Sequence, residues 1–130
     1  MLNNEVFIHF SIQNFDKDPS YITNYLEIQP SKTWLKNDFK IGKGSLRYKN
    51  NGWEIRLKKK NVLHIDNFLE EMIDILSYKK IELNKLYNVT KKISIIVYSN
   101  NMMPSFVFNH NIISFLYETG IDLEQDIYCS

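Results

Sequence analysis

The sequence predicts an α+β domain, a mostly antiparallel sheet of about five to six strands with two to three helices packed on one face. The predicted order is βαββαββαβ. Three observations carry this reading. Val6, Ile8, Phe10 and Ile12 alternate with Phe7, His9, Ser11 and Gln13, the two-residue period of a half-buried strand. Ile65, Phe68, Leu69, Met72, Ile73 and Leu76 recur at helical spacing, with Asp66, Glu70, Glu71 and Asp74 opposite. Elsewhere strands follow one another without regular helical crossovers, which favours antiparallel pairing.

Each remaining element has its own signal. After the first strand, Asp18 offers a side-chain acceptor as helix N-cap, and Pro19 suits the first helical position because its missing N–H costs nothing there. Ile22, Tyr25 and Leu26 give that helix one apolar face, and Pro30 stops it. A polar loop through Trp34 and Gly42-Lys43-Gly44 follows. Leu46 to Lys49 and Trp53 to Lys58 then flank Asn50-Asn51-Gly52, where an Asn-Gly pair supplies the positive φ of a tight turn, so a hairpin is predicted. Beyond the long amphipathic helix, a short helical piece is expected around Leu83 to Tyr87. Lys92 to Ser99 is β-branched and reads as a central strand. Phe106-Val107-Phe108 suggests a short strand. Asn109 or Asn111 can cap a helix carrying Ile112, Ile113, Phe115 and Leu116, which Gly120 closes in the left-handed conformation. Ile121, Leu123 and Ile127 mark the last strand.

Composition narrows the setting. The 130 residues fit a single domain, 1–130, with 44% hydrophobic and 24% charged residues, which is ordinary for a globular chain. A net charge of +1 removes the overall electrostatic argument for nucleic acid. The single cysteine, Cys129, cannot form an internal disulfide and suits a reducing cytoplasm. Met1-Leu2-Asn3-Asn4-Glu5 does not read as a secretion signal, and no apolar run approaches the roughly 18 residues of a membrane span. Alanine is absent while Lys, Asn and Ile abound, the bias of an AT-rich bacterial genome.

The order of joints resembles a bacterial family of small domains of unknown function, the one numbered 4279. The resemblance is carried by Asp18-Pro19, Thr23, Leu26, Pro30, Trp34, Asn51-Gly52-Trp53, Pro104 and Gly120 running to Asp126-Ile127-Tyr128, and it covers nearly the whole chain. One departure is Asn37, where the family pattern tends to have glycine after Trp-x-Lys; Asn tolerates the left-handed region better than most residues. The resemblance implies a fold and a bacterial cytoplasmic setting, and it brings no catalytic residues. Such domains look similar to immunity proteins encoded beside bacterial toxins, an analogy at the level of fold. The motif residues Asp18, Pro19, Pro30, Gly52, Trp53, Gly120, Asp126 and Tyr128 are read as structural.

No catalytic constellation is legible. His9, His64 and His110 lack zinc-motif spacing, so no metal or cofactor is implied. Gly42-Lys43-Gly44-Ser45 resembles a phosphate loop only in part, lacking the earlier glycine and the following helix. If Trp53, Ile55 and Leu57 face the core, then Glu54, Arg56 and Lys58 face outward. Arg47 and Lys49 would join them from the partner strand, and Lys59-Lys60 extend the patch. Trp34, in its polar loop, is the aromatic placed to face a ligand. Asp66, Glu70 and Asp74, and separately Glu118, Asp122, Glu124 and Asp126, form acidic clusters, for which a solvated face is the simpler role.

Trp34, Arg47, Lys49, Arg56 and Lys58 are therefore the candidate partner-binding residues. The expectation is a non-enzymatic cytoplasmic protein that binds a protein partner, a toxin encoded nearby, by steric and electrostatic blockade, with no membrane role. Two alternatives stand beside it. One is a small-ligand or hydrolytic enzyme domain with a pocket near Trp34, using His9 or His64 as acid/base. The other is RNA binding through the basic hairpin. Oligomeric state and strand order are not legible.

Overall fold

A computed structural model describes residues 3–129. Five strands, β1 (Asn4–Gln13), β2 (Lys32–Trp34), β3 (Gly52–Lys60), β4 (Thr90–Ser99) and β5 (Asp122–Cys129), form one sheet in the order β2-β3-β1-β4-β5. Four helices accompany them: α1 (Ser20–Leu26), α2 (Ile65–Ser77), α3 (Lys80–Lys85) and α4 (His110–Thr119). The class is α+β, and every strand pair is antiparallel except β4 with β5. That parallel pair needs a crossover, which α4 supplies.

β1 is the axis of the fold, paired along its length with both β3 and β4. Its even residues Val6, Ile8, Phe10 and Ile12 are buried with Trp53, Ile55, Ile93, Ile95 and Val97. Ile22, Leu26, Phe68, Leu69, Met72, Leu76, Leu83, Ile112 and Phe115 join them from the helices in one core cluster. All four helices thus lie against the same face. The odd residues of β1 point to the opposite face, which no helix covers.

The predicted hairpin does not form. Residues 46–49 do not pair with β3; the strand beside β3 is β2, joined to it by the excursion 35–51. Gly52 is not at positive φ, so Asn51-Gly52 is not a turn of the expected kind. Instead the Asn51 amide accepts from Lys36 N–H at 2.7 Å and donates to the Lys17 carbonyl at 3.1 Å, tying the strand entry to the chain before α1. Gly52 is required for close approach: a Cβ there would overlap the Trp34 indole ring. Other boundaries also move. α1 ends at Glu27, which takes a left-handed φ of 57°, three residues before Pro30. Phe106-Val107-Phe108 is no strand; only Ser105 makes an isolated bridge, to His64. The short helix lies at Lys80–Lys85 rather than at Leu83–Tyr87.

Buried polar groups lock the joints. The Asn4 side chain donates to the Val62 and Met102 carbonyls and accepts from Val62 N–H at 2.8 Å, which fixes the chain after β3 beside the start of β1. The Asn109 side chain caps α4 through Ile112 N–H at 3.0 Å and donates to Glu70 on α2. At the other end of α4, Gly120 at φ 69° and Ile121 N–H close the last turn on the Leu116 carbonyl. Lys91, buried at the end of β4, donates to the Leu83 carbonyl at 2.7 Å and the Thr119 carbonyl at 2.6 Å. A cation at the C-terminal ends of α3 and α4 complements both backbone dipoles. Burial among these groups holds the Lys91 ammonium below the ordinary lysine pKa.

Candidate partner-binding surface

The excursion 35–51 is strongly basic, with Lys36, Lys40, Lys43, Arg47 and Lys49 against Asp38 alone. It is a built arm. Asn37 N–H bonds the Tyr48 carbonyl, Tyr48 N–H the Asp38 carbonyl and Lys40 N–H the Leu46 carbonyl, each at 2.9 Å. Phe39 and Arg47 form an antiparallel bridge, with the guanidinium 3.9 Å above the Phe39 ring and one Nη donating to the Asn37 carbonyl. Asn37 takes φ 75°, so the position where the family pattern favours glycine does require the left-handed region. Gly42 and Gly44, at φ 72° and 64°, turn the tip in open space. Apolar side chains stand out among the cations: Ile41 is 87% exposed, Phe39 and Leu46 each 58%.

Trp34 roots this arm. It is a β2 residue and not a loop residue, only 7% exposed, with its indole stacked on Tyr48 at 4.7 Å and its edge against Gly52. The ring offers no free face for a ligand. Lys32 Nζ donates to the Tyr48 hydroxyl at 2.8 Å and completes the joint. Arg47 and Lys49 therefore lie on the arm and not on a strand beside β3. The continuous basic hairpin that an RNA reading required is absent.

Arg56 and Lys58 do face outward from β3, as expected, on the uncovered side of the sheet. Register gives that side its rows. Lys60, Glu5, Tyr98 and Tyr128 form one; Lys58, Phe7, Ile96 and Asp126 the next; Arg56, His9, Ser94 and Glu124 the third; Glu54, Ser11, Lys92 and Asp122 the fourth. Lys60 belongs to this face, whereas Lys59 points to the helix side and pairs with Glu71 of α2. Tyr98 stacks on Tyr128 at 5.1 Å, and Phe7 meets Tyr98 edge-on at 5.8 Å. Asp126 and Tyr128, read as structural motif residues, are thus surface residues of an edge strand.

The sequence places Glu54 facing outward but does not reveal its burial or its partners. Glu54 is a buried carboxylate on the open face, bonded to Arg56 Nε and 3.5 Å from His9 Nδ1. Burial lowers the His9 pKa below its ordinary value, opposed by Glu54 and aided by Arg56. The i, i+2 spacing of Glu54 and Arg56 on one strand was the available signal; the register of β1 that brings His9 alongside was not. A cavity of about 460 Å³ borders the face near Glu5, Lys60, Tyr98 and Tyr128, and the largest described, about 650 Å³, lies between α3 and α4. None of the cavities described is lined by His9 or Trp34. Among the described residues no cluster of three or more His, Cys, Asp or Glu is placed to hold a metal ion.

The motif residues prove to be contacts of one joint as well as helix and strand ends. Asp18 accepts from Ser20 N–H at 2.9 Å, and that bond holds its carboxyl below the usual pKa. Thr23 of α1 accepts from the Trp53 indole N–H at 3.0 Å, while Gly52 receives Trp34. The family model described as a domain of unknown function, DUF4279, matches residues 4–130. The chain belongs to the DUF4279 family. No curated protein and no solved structure matches it at a significant level. Among the described residues of this DUF4279 domain, no helix is long and apolar enough to cross a membrane.

Proposed function

We propose that this DUF4279 domain is a non-enzymatic binding protein of the bacterial cytoplasm that neutralises a toxin by direct contact. The arm 35–51 is the observation that carries the reading. Five cations surround exposed Phe39, Ile41 and Leu46 on a backbone already held by its own hydrogen bonds. Apolar anchors inside a charged rim are the anatomy of a protein-binding hot spot. A preformed arm loses little conformational entropy on docking, and its charge steers an acidic partner. Arg56 and Lys58, on the adjoining margin of the sheet, continue the same sign of charge. The partner is therefore an acidic protein surface, and the analogy with immunity proteins makes it a toxin encoded beside this chain.

Co-expression with the neighbouring gene product tests this. A co-purifying complex and relief of growth arrest are expected. The double substitution Lys43→Glu with Lys49→Glu should abolish both while leaving the urea unfolding midpoint unchanged, because neither side chain is buried. Absence of both complex and protection, or undiminished binding by the double variant, contradicts the reading.

A further inference from the structure

The uncovered sheet face has its own charge order. Its β3 margin carries Lys60, Lys58 and Arg56, its β5 margin Asp126, Glu124 and Asp122, and the strands between bring Phe7, Ile96 and Tyr98. Such a surface is complementary to itself under one symmetry operation. We propose that this face binds a second copy of the chain, in a two-fold dimer whose axis runs parallel to the strands between β1 and β4.

The sheet order dictates which residues meet. An axis in that position lays β3 over β5 of the other copy and β1 over β4, with each row facing the same row. Lys58 then faces Asp126 and Arg56 faces Glu124, each twice by symmetry, while Phe7 faces Ile96 at the centre. Asp126 has no ion-pair partner among the described residues, and Lys58 pairs with Glu5 at 3.7 Å and lies 5.5 Å over the Phe7 ring. Glu124 is shared with Lys92 at 3.1 Å. One row opposes the arrangement, since Glu54 meets Asp122, but Lys92 and Lys32 flank that point. An in-plane axis perpendicular to the strands would instead set β3 on β3 and β5 on β5, like charge on like. Edge-to-edge pairing of β5 with itself would bring Glu124 and Asp126 of two copies side by side, the usual protection of an edge strand.

The size suits a weak dimer. Four strands about 4.8 Å apart and about eight residues long give the shared face roughly 500 Å² of projected area per copy. Standard protein interfaces bury about 800 Å² per partner, and transient ones less. The arm 35–51 is rooted at Trp34 of β2, a strand that falls outside β5 of the facing copy. The arm lies outside this surface, whereas Arg56 and Lys58 belong to both, and loss of the dimer would leave the toxin reading, which the arm carries, standing.

Sedimentation velocity of the full chain over a micromolar to submillimolar range provides the test. The wild type is expected to dimerise, more weakly at high salt. Lys58→Asp and Asp126→Lys each place like charges across the axis twice and should raise the dimer Kd at least about tenfold. An equimolar mixture of the two variants restores both opposite-charge contacts and should yield a heterodimer. A wild type that stays monomeric overturns the proposal. So does a dimer indifferent to either substitution, or a mixture that fails to associate.

Discussion

Replacing Gly52 by alanine adds one methyl group where the Trp34 indole already stands. The backbone itself does not object, because Gly52 is not at positive φ. The ring cannot retreat, since Tyr48 stacks on it at 4.7 Å. Trp34 must therefore leave part of its site. A tryptophan buries about 150–250 Å², which at about 25 cal/mol per Å² makes complete ejection worth about 4–6 kcal/mol. Partial displacement should cost about half of that, roughly 2–3 kcal/mol, within the range of substitutions that overpack a core. Urea unfolding followed by circular dichroism should show a midpoint about 1–1.5 M lower, for a slope of about 2 kcal/mol per M. Trp34→Ala alone should cost about 3–5 kcal/mol. Adding Gly52→Ala to that background should cost less than about 0.5 kcal/mol, since the methyl then has room and restricts the unfolded chain. Equal costs of Gly52→Ala in both backgrounds, or a single variant as stable as wild type, would refute the close-approach argument.

Three other substitutions probe the remaining joints. Asn4→Ala strands the buried N–H and carbonyl of Val62, while the Met102 carbonyl keeps the Ser99 hydroxyl, and should lower stability by about 2–4 kcal/mol in the same assay. Lys91→Met leaves the Leu83 and Thr119 carbonyls without their cation, at a similar cost of about 2–4 kcal/mol at neutral pH. Because the folded-state pKa of Lys91 is depressed, the unfolded chain holds more protons between the two pKa values, so wild-type stability gains from Lys91 titration as pH rises through that window. That gain should vanish in Lys91→Met, and an identical alkaline profile in both proteins would contradict it. For His9 the direction is the same at lower pH. Its depressed pKa means stability is lost as pH falls from the ordinary histidine value through the folded one, and His9→Asn should flatten that slope. An NMR titration midpoint for His9 at or above the ordinary value would count against it.

Periodic segments were legible because burial writes a period into the sequence. β1, α2, β4 and α4 emerged from alternation or helical spacing within a residue or two of their observed bounds. β2 was not, since three residues are too short to carry a period. The Asn51-Gly52 pair misled for a definite reason: glycine serves both turns and close approaches, and only the position of Trp34 tells them apart. Phe106 and Phe108 are partly buried against the core without strand pairing, so their apolarity reports packing rather than pleat. Arg56 and Lys58 were placed correctly by alternation alone. Their separation from Arg47 and Lys49 followed from the missing hairpin, and the partnership of Glu54 with His9 depended on register between β1 and β3, which local sequence does not encode. Lys91 was invisible because the sequence predicts the strand from Lys92, leaving Lys91 outside it.

Amide hydrogen exchange on the chain alone and with the protein encoded beside it tests the central claim most directly. The account predicts slowed exchange across 35–51 and along the outward margin of β3, with the helical side unchanged. Protection confined to α1–α4, or none anywhere, would contradict it.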